Sequence, residues 1–390
     1  MRYIESFLAQ AGGHSGTFTG AGISYVIETP AGNLYVVYID NSVDVVFVKS
    51  TDGGRTWTAP TSVFVGTVQA LAVWYDRWSN ISAGKIHCAY TDSAIDDILY
   101  RSIDTENSDN LGTETTIFAG STAIAGGALT ITRARGGNLV VAGSIDAGTE
   151  DGAWESADTG ATWASAIADP SEAATQDQYL LLPGWNADTQ DVMLIFWDAS
   201  ADELSVKRYD NSANSWAETS IATGMVDQQA ITAFPHFAAA VDLANSRNLV
   251  VAWSAVDTLG ADLRCWIIDD TTITELTNIV LNSTDDQGLC AISILANGEW
   301  IVYYAGKTDG SETFTTSVGI YFKVSKDSGS TWGAETRFAA RQFNRRALFA
   351  VPRCYMSRLY ALSSQVTTGY VLSIILDAQF PRVSYQMGVM

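Results

Sequence analysis

Positive charge is scarce in this chain. Twenty-two lysines and arginines face 43 aspartates and glutamates, leaving a formal charge of −21 at pH 7. Nucleic acid and anionic membrane surfaces would repel such a chain, so neither is expected as a partner. No stretch approaches the roughly 20 apolar residues that span a bilayer, so no membrane insertion is expected. The opening Met1-Arg2-Tyr3-Ile4-Glu5-Ser6-Phe7 has an acidic residue where a signal peptide carries its apolar region, which implies a chain made in the cytoplasm. Histidine is sparse as well: His14, His87 and His236 are too dispersed for a metal centre or a triad. Cys88, Cys265, Cys290 and Cys354 lack C-x-x-C spacing and read as buried thiols that pack as small hydrophobes. Helical periodicity is missing throughout. Apolar residues make up 47% of the chain and charged ones only 17%, ample for a core built from strands.

What recurs is a short pattern. Ser50-Thr51-Asp52-Gly53-Gly54-Arg55-Thr56-Trp57, Ser156-Ala157-Asp158-Thr159-Gly160-Ala161-Thr162-Trp163 and Ser325-Lys326-Asp327-Ser328-Gly329-Ser330-Thr331-Trp332 all read S-x-D-x-G-x-T-W between β-branched apolar runs. Such a segment suits a tight turn between strands. Its Asp accepts backbone N–H bonds, its Gly takes positive φ, and its Trp lies back over the hairpin. Tyr209 to Trp216 is a decayed copy with one extra residue before its Trp.

A longer period contains these turns. A short apolar strand follows each of Asn33, Lys85, Asn138, Asp191, Asn248, Glu299 and Arg358, markers 51 to 59 residues apart. Each unit runs as an apolar strand, the strand after the marker, a third strand, the turn and a closing strand. Four-stranded units at this spacing match propeller blades. The expected fold is all-β, a single propeller of seven four-stranded blades, with six blades plus an appended strand pair as the alternative. The units fall near 23–66, 67–119, 120–169, 170–222, 223–280, 281–339 and 340–390, after an N-terminal strand and Gly-rich connecting loop over 1–22. Ring closure would pair one terminus into the last blade, either Arg2 to Leu8 or Arg382 to Val389.

In turn sequence and strand order the chain resembles the sialidase-like propellers with Asp-box (BNR) repeats, over almost its full length. That resemblance implies a sialidase site of three arginines clamping the substrate carboxylate, a Tyr activated by a Glu, and an Asp acid/base. The first of these arginines belongs to a Tyr/Phe-Arg-Ile-Pro motif on the innermost strand of the first blade. Here the matching segment is Tyr25-Val26-Ile27-Glu28, with Val26 in the arginine's place. The hairpin loop that would supply the second arginine and the acid shrinks to Asp40-Asn41-Ser42-Val43-Asp44. No catalytic residue is assigned.

Three groups remain as candidates for binding. Carboxylates four apart recur in the loop after the second strand of the first four units: Asp40/Asp44, Asp92/Asp96, Asp146/Glu150 and Asp198/Asp202. They would form a rim for a divalent cation such as calcium, or for sugar hydroxyls, or else simply cap hairpin corners. No other cofactor is expected. Six of the sixteen arginines fall at 337–358, and Arg341, Arg345, Arg346, Arg353 and Arg358 read as a surface for an anionic sugar or an acidic partner. Trp74, Trp78 and Trp185 lie beside polar residues, as sugar-stacking indoles do, although for any one of them buried packing is the stronger account. Asp52, Trp57, Asp158, Trp163, Asp327 and Trp332 are assigned to the turns themselves. The functional expectation is a non-catalytic propeller presenting loops to a glycan or protein partner, as in host attachment or assembly of a phage or viral particle. A glycoside hydrolase on the same scaffold and a purely structural assembly protein are the alternatives.

Overall fold

The computed structural model describes residues 4–11, 24–75, 84–120, 129–145, 150–165, 167–168, 170, 178–198, 201–225, 237–253, 263–280, 288–295, 297–308, 320–339, 348–350, 359–365 and 370–376. Every regular element among them is a strand.

The N-terminal strand β1 (Ile4–Ala11) precedes blade 1, which contains β2 (Ser24–Glu28), β3 (Leu34–Ile39), β4 (Val45–Ser50) and β5 (Thr61–Phe64). Blade 2 has β6 (Val68–Tyr75), β7 (Lys85–Asp92), β8 (Asp97–Asp104), the two-residue β9 (Asn110–Leu111) and β10 (Thr115–Ala119). Blade 3 has β11 (Leu129–Arg133), β12 (Leu139–Ile145), β13 (Glu150–Ser156) and β14 (Ala164–Ser165). Blade 4 has β15 (Gln178–Pro183), β16 (Val192–Asp198), β17 (Glu203–Asp210) and β18 (Ser215–Thr223). Blade 5 has β19 (Phe237–Asp242), β20 (Arg247–Trp253), β21 (Leu263–Asp269) and β22 (Thr272–Glu275). Blade 6 has β23 (Gly288–Ile294), β24 (Trp300–Ala305), β25 (Ile320–Ser325) and β26 (Thr336–Ala339).

Each of these six blades is a four-stranded antiparallel meander in chain order, with β9 added beside β8 in blade 2. First strands of successive blades pack against one another, β6 on β11, β11 on β15, β15 on β19 and β19 on β23, and so surround the axis. A further sheet has the order β27 (Leu348–Ala350), β28 (Leu359–Gln365), β29 (Tyr370–Leu376) and then β1. β27 packs on β23 at one side and β2 at the other. β1 pairs antiparallel with β29 from Ile4↔Leu376 to Ala11↔Tyr370. The six-blade alternative therefore describes the blades that are continuous in sequence, and the last repeat is completed across the two ends of the chain. The N-terminal segment supplies its outer strand, while 382–389 lies outside the described residues.

The core lies between blades rather than inside one layer. Every residue of β3 is buried, and so is every residue of β20 except Arg247. Strands with a neighbouring blade on both faces are apolar at successive positions instead of alternating. Trp197, Trp253, Trp266 and Trp300 are the largest fully buried side chains, and they fill these interblade layers.

Candidate functional site

An antiparallel four-strand meander puts two kinds of link at each end. First-to-second and third-to-fourth turns share one face of the ring. Second-to-third corners and the connections to the next blade share the other.

The S-x-D-x-G-x-T-W turns lie on the first face, and all three have one hydrogen-bond pattern. The Ser hydroxyl donates to Asp Oδ1 at 2.8–2.9 Å and accepts the Gly N–H at 2.7–2.8 Å. Asp Oδ1 also accepts the Thr N–H at 2.8–2.9 Å, and Oδ2 accepts the Thr hydroxyl at 2.6 Å. These donors stabilise the charged carboxylate. The Thr56 hydroxyl first, and then its N–H, lower the Asp52 pKa to about 2, and Thr162 does the same for Asp158. The indoles reach further than their own hairpins. Trp163 Nε1 donates to Thr115 Oγ1 of blade 2 at 3.2 Å, and Trp332 Nε1 to Thr277 O of blade 5 at 3.0 Å. Trp216 of the decayed copy donates to Ala168 O of blade 3 at 2.6 Å, whereas Trp57 stays local, on Gly54 O. In blades 3, 4 and 6 the turn is thus a clasp onto the preceding blade.

On the other face, each described carboxylate of the acidic pairs belongs to a corner. Asp40 Oδ1 accepts the N–H groups of Ser42 and Asp44 at 2.8 and 3.0 Å. Asp92 Oδ1 accepts those of Ala94 and Thr67 at 3.0 and 3.2 Å, and Asp198 Oδ1 accepts Ala201 N–H at 3.1 Å. Asp96 and Asp202 occupy the left-handed corner positions, at φ 60° and 52°. Asp44 Oδ1 holds Gly66 N–H at 3.0 Å, and Asp97 Oδ1 holds Gly120 N–H at 3.1 Å. The acidic corners therefore also clip the connection that leads to the next blade. Among the described residues, no three His, Cys, Asp or Glu side chains gather as metal ligands would. Asp146 lies outside the described residues, and Glu150 is placed only as the β13 partner of Ile145.

Other sequence candidates are more dispersed. Trp74 is only 2% exposed and packs in the core cluster with Ala89, Tyr100 and Leu129. Trp185 sits in the first turn of blade 4, with the Arg135 guanidinium 5.3 Å from its ring and its Nε1 on Asn248 Oδ1 at 3.1 Å, so it ties blades 3, 4 and 5 together. Trp78, Arg341, Arg345, Arg346, Arg353 and Arg358 lie outside the described residues. Arg341, Arg345 and Arg346 precede β27 and Arg353 and Arg358 follow it, so the chain enters and leaves that strand through different arginines. Val26 is 8% exposed and faces Val36 across the β2–β3 pair, an apolar position inside blade 1.

His87 is the one described histidine, and it is fully buried. The Tyr100 hydroxyl donates to Thr159 O at 3.2 Å, so its oxygen accepts from His87 Nδ1 at 2.7 Å. Burial first, and then the positive charges of Arg133 and Lys85, push its pKa down to about 3. It is a neutral core histidine.

Sequence reading missed a set of basic residues on the third strands that face backward, toward the preceding blade. Arg101 Nη1 donates to Val63 O at 2.8 Å, Lys323 Nζ to Ile279 O at 2.8 Å, and Lys207 Nζ to Pro170 O. Arg264 Nη1 approaches Met225 Sδ at 3.5 Å in the same manner. The signal was available as a Lys or Arg in the third strand of each of these blades, two of them in blade 4.

No family model matches the sequence, and a search of curated proteins finds no match. Solved structures do match. The chain superposes on a polysaccharide lyase of family PL25, an ulvan lyase, with a TM-score of 0.59 and 9% identity over 94% of this chain and 95% of that one. A PL25 ulvan lyase bound to -[GlcA(1-4)Rha3S]- gives 0.55, at 10% identity and the same coverage. Trypanosoma rangeli sialidase gives 0.49 at 11% identity, over 92% of this chain and 55% of the sialidase. At these identities the likeness is one of fold, and the chain has the propeller architecture of the PL25 lyase structures.

Proposed function

We propose that this propeller recognises an anionic carbohydrate on the face built from second-to-third corners and blade-to-blade connections, and that it does so without a sialidase site. The observation that carries this reading is the contrast between the two faces. The S-x-D-x-G-x-T-W turns are near copies of one another and are used up in their own hydrogen bonds and, in blades 3 and 6, in clasping the preceding blade, which suits their reading as Asp-box repeats. The longest links belong to the opposite set, the connection 224–236 and the corner 306–319, and the sequence puts three arginines in the blade-to-blade link 340–347. Guanidinium groups suit carboxylate and sulfate oxygens. Val26, apolar and enclosed in blade 1, supports the absence of a sialidase carboxylate clamp.

A second reading, an enzyme acting on a polysaccharide, is favoured by the full-length fold likeness to a lyase. A glycan array that includes sulfated and uronate-containing polymers separates the two readings. Protein retained on anionic glycans that stay intact supports recognition. Loss of a terminal sugar, or the ultraviolet absorbance of an unsaturated uronide, supports the enzyme. Neither retention nor cleavage on any glycan overturns both and favours a structural assembly role.

A further inference from the structure

Blades 2 and 5 lack the clasping tryptophan, and in both the preceding blade supplies a cation instead. Lys49 on β4 donates to Asp109 Oδ2 at 2.9 Å and Oδ1 at 3.1 Å, in the third-to-fourth turn of blade 2. Tyr35 donates its hydroxyl to Asp109 Oδ1 at 2.6 Å, and the Lys49 ammonium sits 5.1 Å from the Tyr35 ring centroid. Arg208 on β17 donates Nε to Asp270 O at 2.6 Å, in the matching turn of blade 5. Both cations project forward, while the indoles of blades 3, 4 and 6 reach back. The contact occurs at the same turn with its direction reversed.

The geometry points to an ionic strap between blades 1 and 2 that salt loosens while the indole clasps hold. This inference is independent of the proposed ligand. At the indole seams, neutral groups donate to neutral oxygens, and dissolved ions do little to such bonds. Lys49 and Asp109 are a full ion pair at a partly exposed site, where ions weaken attraction. Asp109 itself has φ 59°, a left-handed conformation that costs energy in a non-glycine residue and relaxes once its carboxylate is released. Release is local, because Arg101 still reaches Val63 O and Tyr25 still donates to Leu71 O at 2.9 Å across the same seam.

Hydrogen exchange of the intact protein in low salt and in about 1 M sodium chloride tests the strap. Amides of 105–112 should exchange faster in high salt, by about two-fold for a pair whose side chains are 18% and 20% exposed, while those of 158–163 and 327–332 keep their rates. Lys49→Met should show the faster rate at both salt concentrations. Asp109→Asn keeps the Tyr35 contact and the shape of the turn, and it should also lose the salt response. Equal salt response at all three turns, or a salt response that survives in either variant, would overturn the proposal.

Discussion

Gly160→Ala and Gly224→Ala make a matched pair. Both glycines have positive φ, 90° and 70°, so each alanine meets a similar backbone penalty of about 1–2 kcal/mol. Their surroundings differ. A methyl group on Gly224 meets nothing within 4 Å, whereas one on Gly160 would stand 2.1 Å from Tyr100 Cε1. Tyr100 cannot swing aside, because its hydroxyl is held between His87 and Thr159 and its ring packs edge-on against Trp163 at 5.3 Å. Forcing a methyl into such a packed layer costs roughly a further 1–3 kcal/mol. Gly160→Ala should therefore lose about 2–5 kcal/mol and Gly224→Ala only the first part. The assay is urea unfolding followed by tryptophan fluorescence, with the two midpoints compared at constant slope. Midpoints equal within error would refute the argument that this turn presses on the preceding blade, and would leave backbone strain as the whole effect.

Acid should act on the same turns. The folded pKa of Asp52 and of Asp158 lies below the ordinary carboxylate value of 3.8, so their contribution is complete above that value and is lost as pH falls toward about 2. Asp158→Asn should flatten the fall in melting temperature across that window, as calorimetry would show. His87 acts over a higher range. Its folded pKa, near 3, lies below the ordinary 6.5, so the fold favours the neutral ring and stability declines as pH drops from 6.5 toward 3. His87→Phe should remove that slope, and a slope left unchanged would count against a neutral buried imidazole. Val26→Arg would restore the sialidase residue type in an apolar layer. It should destabilise the protein by several kcal/mol, as an unpaired buried charge does, and a sialidase assay should detect no cleavage.

The fold was legible because the turn residues are stereotyped. Ser, Asp, Gly and Thr recur since each takes part in the turn's fixed hydrogen bonds, and the marker period exposes the blades even where the turn has decayed, as at Tyr209–Trp216. Much of the site was not legible, for reasons of geometry. Asp40/Asp44 and Asp92/Asp96 have a spacing that serves a corner cap and a cation ligand alike, and only the N–H groups around them show the cap. Trp74 looks like a stacking residue in a run rich in polar and aromatic side chains, but strand parity turns it into the core. Lys49 and Arg101 lie on comparable third strands and face opposite neighbours, a difference set by corner length that composition does not register. That β1 would complete the sheet of β29 was one of two choices left open by the sequence, since either terminus had strand character.

The most direct test of the proposed recognition face is hydroxyl-radical footprinting of the protein with and without a sulfated uronate oligosaccharide. Val65 and Ile95, 71% and 53% exposed on that face, serve as reporters. The account predicts slower oxidation of Val65 and Ile95 and unchanged oxidation of Trp57, Trp163 and Trp332, with the oligosaccharide recovered intact. Protection of those tryptophans instead, or recovery of cleaved sugar, would contradict it.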